Sequence, residues 1–176
     1  MNAALFIGGA VGAWYLLFHS RSAGATPAPP SRLDTRIRRR VEELRATVDR
    51  ENAGNRYTTT ALVLAVIARE SGGESRRGAD GERGVMQVTR EAWQDYQAEK
   101  NDPDAATFDT LDSPDICIRV GSWFLDQKIW EFRGDRYNGL RAYNCGFRGA
   151  SDNAACGATY ASWIIEQEPQ FRGGPV

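Results

Sequence analysis

The chain has 176 residues and a formal net charge of -1, so it has room for one folded domain with an appendage, and no overall positive excess that would make nucleic acid a partner. Its one histidine, His19, lies beside an N-terminal apolar run, which excludes a histidine-based triad and a histidine-rich metal site. The cysteines Cys117, Cys145 and Cys156 form no Cys-x-x-Cys pair, so no zinc site, and no other metal or cofactor, is expected.

Residues 3–18 are almost entirely apolar and include Gly8, Gly9 and Gly12. The run is short for a bilayer span but within reach if its flanks snorkel. A cleavable signal peptide is the rival reading. No Lys or Arg precedes the run, and Arg21 separates it from the small-residue site at Ala23-Gly24-Ala25, so an uncleaved N-terminal transmembrane helix at residues 1–20 is favoured. Trp14 and Tyr15 suit a membrane interface. Residues 21–31, with Pro27, Pro29 and Pro30, read as a partly extended linker.

Residues 32–53 predict a basic amphipathic helix. Ile37, Val41, Leu44 and Val48 recur at helical spacing, and Arg36, Arg38, Arg39 and Arg40 share the other face. Two readings stay open for that face: a solvated surface of a helix docked on the domain, or a patch for anionic lipid headgroups or a protein partner.

A domain spanning 54–176 follows. Thr58, Thr59 and Thr60 offer N-caps for a strongly apolar helix that ends near Glu70. Residues 72–84 are rich in Gly and charge and predict a loop or small irregular hairpin. Thr89 caps a short helix carrying Trp93 and Tyr96, and the polar residues 101–112, with Pro103, predict a loop. Ser113 and Pro114 open a helix with Ile116, Val120, Trp123, Phe124 and Ile129 on its apolar faces. Further helices are expected over 136–143 and over 160–168, before Pro169. No internal repeat and no run of strand alternation appears, so the fold class is mostly α. The five Trp, six Tyr and seven Phe are by default core, with a sugar-stacking groove as the alternative.

Three pieces carry the chemistry: Arg69-Glu70-Ser71-Gly72-Gly73, Gly84-Val85-Met86-Gln87-Val88 and Ala142-Tyr143-Asn144-Cys145-Gly146. Glu70 ends the apolar helix, in an apolar wall and beside the negative helix pole. Both effects disfavour ionisation, as a general acid requires. In this order the pieces resemble the lytic transglycosylase branch of the lysozyme-like superfamily, over about residues 58–168. The resemblance implies a lysozyme-like helical domain that cuts the glycan strands of bacterial peptidoglycan. It implies one catalytic carboxylate, Glu70, acting as acid and then base to leave a 1,6-anhydro-muramoyl end.

The resemblance also implies a substrate-binding set of Ser71, Gly84, Val85, Met86, Gln87, Tyr143, Asn144 and Tyr160. Ser71 would bond backbone or Glu70. Gly84 would let backbone approach the sugar, and Gln87 would offer a donor and an acceptor to an acetamido or hydroxyl group. Met86 would be an adaptable apolar floor, or simply core. Tyr143 would bond near the acid or stack on a sugar, Asn144 would fix backbone or bind substrate, and Tyr160 would face the acid or lie in the core.

Three departures stand out. Gly78 and Ala79 occupy the place of the family's further Ser, Glu82 replaces a small residue, and Cys145 replaces the usual Ala. Cys145 and Cys156 are either a disulfide across a Gly-, Asn- and Asp-containing loop or, with Cys117, three reduced residues. Glu74, Asp80, Glu82 and Asp109 are candidates for a second carboxylate, none in a recognisable motif.

The expected partners are peptidoglycan glycan strands, membrane lipid through residues 3–18, and proteins of a virion or a secretion system. The expected location is a virion membrane or the bacterial inner membrane, with the domain acting in the periplasm to open a local gap in the wall. Basic residues after the span point the other way under the positive-inside rule. Two alternatives accompany this reading: a hydrolysing lysozyme on the same fold, and a non-enzymatic membrane protein keeping a glycan groove.

Overall fold

A helix that is apolar on every side must lie inside its domain. That is where a computed structural model, which describes residues 33–173, places the helix ending at Glu70. The helices are α1 (Thr35–Glu42), α2 (Arg45–Glu51), α3 (Thr60–Glu70), α4 (Arg90–Lys100), α5 (Pro114–Glu131), α6 (Arg136–Asp152) and α7 (Ala158–Gln167). Short 3-10 turns lie at Pro103–Ala105, Phe108–Asp112 and Glu168–Phe171. Every residue from Ala61 to Ala68 is buried. Packed around α3 are α1, α2, α7 and the C-terminal 3-10 turn, while α5 contacts α2, α4 and α6. The expected span at 1–20 and linker at 21–31 lie outside the described residues. Among the described residues no helix is long and apolar enough to cross a membrane.

Threonine and aspartate caps set several helix starts. The Thr59 side chain accepts from Leu62 N, that of Thr89 from Ala92 N and that of Asp135 from Asn138 N. Asp126 of α5 accepts from the backbone N–H groups of Tyr57 and Thr58 at 2.6 and 3.0 Å, which fixes the approach to α3.

Three expectations need correction. The single helix over 32–53 is two, because the backbone tightens at Leu44, whose N–H bonds the Val41 carbonyl. Val41 and Val48 are nonetheless fully buried, so both helices dock on the domain. Arg38 donates to the Gln170 carbonyl and Arg40 to the Gly72 carbonyl, and Arg40 also pairs with Glu74. Residues 101–112 are not a plain loop. Ala105, Phe108 and Leu111 recur every third residue, the 3-10 period, and all three are buried. Finally, α6 continues past 143 to Asp152 through a break at Gly146. Residues 72–84, expected as a loop or small irregular hairpin, carry an isolated bridge from Arg77 to Arg83, and a second runs from Arg83 to Val88.

Arg119 of α5 joins distant segments. It donates to Glu51 at 2.7 Å, to Asp102 at 2.9 Å and to Asp104 at 3.3 Å, and Tyr96 adds a 2.8 Å bond to Asp102. Burial alone would raise both the Glu51 and the Asp102 carboxyls. Hydrogen bonds from Arg119, with Arg50 for Glu51 and with Tyr96 and Asp104 N for Asp102, outweigh it and hold both below the usual range. Folded values below unfolded ones contribute stability above about pH 4, lost as pH falls through the folded values. Arg119→Met is expected to cost about 1–3 kcal/mol at neutral pH and to flatten this acid limb, as read by urea unfolding from neutral to strongly acid pH.

Candidate active site

Glu70 is the last residue of α3, half-buried where the apolar core meets a cleft. Its Oε1 accepts a 2.6 Å hydrogen bond from the Tyr160 hydroxyl on α7. The Arg76 guanidinium donates to the Glu70 carbonyl, one of the acceptors that a helix end leaves unpaired. Ser71 then turns inward. Its hydroxyl donates to the Val85 carbonyl at 2.7 Å and accepts from Gly73 N at 3.1 Å, tying the end of α3 to the turn at 84–88.

That turn is held from below. Tyr143 of α6 donates to the Met86 carbonyl at 2.9 Å, and Met86 N lies 3.4 Å from the Cys117 sulfur on α5. Gln87 adopts a left-handed backbone, φ 49°. Its side-chain amide nitrogen donates to the Gly84 carbonyl at 2.8 Å and to the Arg76 carbonyl at 3.0 Å. Arg83 braces the hairpin from outside, pairing with Asp109 at 2.7 Å and Asp112 at 3.0 Å.

The three sequence pieces therefore meet, but they do not share one role. Glu70 and Gln87 line the cleft, together with Arg76, Arg77, Asp80 and Glu82. Ser71, Gly84, Val85 and Met86 are buried beneath it. Met86 packs on Gly121 of α5 and is fully buried, so it is core and not a floor touched by sugar. Gly84, at φ 73°, lets the backbone approach protein: a Cβ there would sit 2.2 Å from the Leu111 carbonyl and 2.5 Å from the Cys117 sulfur. Both amide hydrogens of Gln87 are committed to backbone, which leaves its oxygen for a ligand. Asn144 is half-buried and makes no side-chain hydrogen bond among the described residues.

Of the acidic candidates, Glu74 pairs with Arg40 and Asp109 with Arg83, while Asp80 and Glu82 stay in the cleft. Glu82 is only 7% exposed and accepts from Asp80 N. Burial, then the nearby Glu70 charge, pushes the Tyr143 and Tyr160 phenols well above their ordinary value, so both remain neutral donors. Burial pushes the Cys117 thiol up to about 12. Cys145 and Cys156 are paired, with Cα atoms 6.3 Å apart. Among the described residues no group of three or more His, Cys, Asp or Glu side chains is placed to hold a metal ion.

Sequence reasoning missed the bond from Arg76 to the Glu70 carbonyl and the Arg83 brace, because Arg76 and Arg83 look like any loop arginines.

Residues 48–165 match the family model described as the transglycosylase SLT domain. Among solved structures, the chain is similar to an inactive Glu-to-Gln mutant of lytic transglycosylase Slt from Pseudomonas aeruginosa. The identity is 25% and the TM-score 0.57, over 71% of this chain and 20% of that one. It also shares its fold with the 70 kDa soluble lytic transglycosylase from Escherichia coli, at 18% identity and TM-score 0.57, over 70% of this chain and 20% of that one. The match thus spans about a fifth of the length of each of those proteins. No curated protein matches the chain.

Gly84→Ala is expected to destabilise the fold by about 2–4 kcal/mol, since the added methyl meets backbone at a strained φ. Urea unfolding measures it; a loss under about 0.5 kcal/mol, the scatter of neutral surface changes, would contradict the packing role.

Proposed function

The chain belongs to the transglycosylase SLT domain family, and from that membership we propose that it is a peptidoglycan lytic transglycosylase in which Glu70 is the single acid and base. The observation that carries this is the 2.6 Å bond from Tyr160 to Glu70 Oε1 at the end of an apolar helix. It fixes one carboxyl oxygen and so orients the other, which handles the proton.

In the first half of the reaction the protonated Glu70 gives its proton to the bridging oxygen as the glycosidic bond breaks. The carboxylate so formed then takes the proton of the muramoyl C6 hydroxyl, whose oxygen bonds to the anomeric carbon. Glu70 ends protonated again, no water is consumed, and the sugar carries a 1,6-anhydro ring. An internal nucleophile needs no second carboxylate, because its effective concentration is high. Tyr160, neutral throughout, steadies the carboxylate in the step where its charge appears. The amide of Asn144 and the oxygen of Gln87 suit the substrate's acetamido and hydroxyl groups.

One observation favours a second reading. Asp80 and Glu82 line the same cleft as Glu70, so a carboxylate able to activate water is at hand and a hydrolysing lysozyme stays in view.

The biological setting extends the proposal. An apolar run at 3–18 would hold the enzyme at a membrane, and the Cys145–Cys156 pair suits an oxidising compartment such as the periplasm. A small anchored enzyme of this kind would open a local gap in the wall for a larger assembly, a phage virion or a secretion machine.

Mass spectrometry of fragments released from purified peptidoglycan tests the chemistry. Anhydro-muramoyl ends are expected, and Glu70→Gln should abolish them; reducing ends would select the hydrolytic reading. Tyr160→Phe is expected to lower kcat about tenfold with little change in KM, in initial-rate measurements, because its bond acts mainly on the charged carboxylate.

A further inference from the structure

A second cleft, of about 600 Å³, lies away from Glu70 and is lined by Tyr57, Trp130, Glu131, Arg133 and Phe147. Tyr57 precedes the start of α3 while Glu70 is its last residue, a separation of about 16 Å along the helix. Along α5, Gly121 packs on Met86 beneath the catalytic cleft, and Trp130 is about 13 Å further on.

Several features that oppose stability converge there. Trp130 is 59% exposed and Phe147 42%, two of the four large apolar side chains exposed among the described residues. After α5 the chain reverses through Arg133 at φ 57°, a left-handed position where glycine would be easier. Its guanidinium makes no hydrogen bond or ion pair among the described residues. The Tyr57 ring lies against the next residue, Gly134. On the other wall, α6 leaves helical geometry at Gly146 (φ 76°, ψ 161°), which brings Phe147 to 5.1 Å from Phe132. The Cys145–Cys156 pair pins the chain beside that break. Glu131 is held by Lys128 at 2.8 and 3.1 Å, so its carboxylate is fixed at the cleft wall.

We propose that this aromatic cleft is a second, non-catalytic glycan-binding site that holds peptidoglycan strand while the Glu70 cleft acts. A pyranose ring has C–H-rich faces and a rim of hydroxyls. The exposed rings of Trp130 and Phe147 match the former, beside Tyr57, which has the Arg56 guanidinium over one ring face at 5.3 Å, and the Arg133 donors and Glu131 acceptors match the latter. The occupant follows from the substrate as well: a polymer engaged at one cleft is presented to the other at high effective concentration. The inference rests on the reading that peptidoglycan is the substrate.

Binding of the full chain carrying Glu70→Gln to purified, insoluble sacculi tests it, since that variant should hold glycan without cutting it. Adding Trp130→Ala is expected to weaken binding about tenfold, and Trp130→Phe to recover most of the loss. In the chain with Glu70 intact, Trp130→Ala should lower the rate on sacculi more than the rate on short soluble glycan fragments. Thermal unfolding checks that each variant is folded. Undiminished binding by Trp130→Ala, no recovery by Trp130→Phe, or an equal rate loss on both substrates would overturn the proposal. Failure of the catalytic reading looks different: the chain with Glu70 intact would cut neither substrate, while the binding comparison would still report on this cleft.

Discussion

The catalytic end of the described domain depends on an eleven-residue helix, α3, whose residues Ala61 to Ala68 are buried on every side. Leu62, Val63, Leu64, Val66 and Ile67 are all fully buried, and each contributes about 1.5–3 kcal/mol by leaving water. A helix so committed cannot shift or rotate without exposing apolar surface on some side. Its C-terminal residue is therefore among the best-fixed points in the fold. A carboxylate there gains positional accuracy from burial of the residues before it, and the Tyr160 hydroxyl then fixes one of its oxygens.

The same burial raises a difficulty at the helix end, where carbonyls lose their partners. The protein resolves it with side chains that also build the site. Arg76 takes the Glu70 carbonyl, and Ser71 reaches across to the Val85 carbonyl. Tyr143 holds the Met86 carbonyl from the opposite side. Gly84 allows the turn to press against Leu111 and Cys117, and Gln87 locks it with its own amide. The turn at 84–88 is thus a structural insert between α3 and α5, with one edge left facing the cleft.

This explains what the sequence could and could not convey. Helix starts were readable because a Thr or Asp side chain caps them locally, and Glu70 stood out because the motifs are ordered along the chain, whereas the sequence left Tyr160 between facing the acid and lying in the core. Which face of the 84–88 turn meets solvent was not readable. A turn with left-handed residues at Gly84 and Gln87 has no hydrophobic period, so Met86 and Gly84 looked like cleft residues although they are packed beneath it. The break at Leu44 was hidden because neither Glu43 nor Leu44 is a helix breaker. In 101–112 the polar majority masked a three-residue apolar spacing, and Gly146 suggested a helix end although the helix resumes beyond it and runs to Asp152.

Helix α6 connects the two clefts. Tyr143 sits under the catalytic turn and Phe147 in the aromatic cleft, only four residues apart but on opposite sides of the break at Gly146. An unbroken helix would stack residues i and i+4 on one face, placing both rings together. The break separates them. A free break would also be a hinge, and a hinge there would let Phe147 drift from Phe132. The covalent tie from Cys145 to Cys156, with Arg141 bonding the Cys156 and Asn153 carbonyls at 2.8 and 2.6 Å, removes that freedom. The cost of departing from helical geometry is thereby met once, locally, and both rings keep fixed positions relative to the core that orients Glu70.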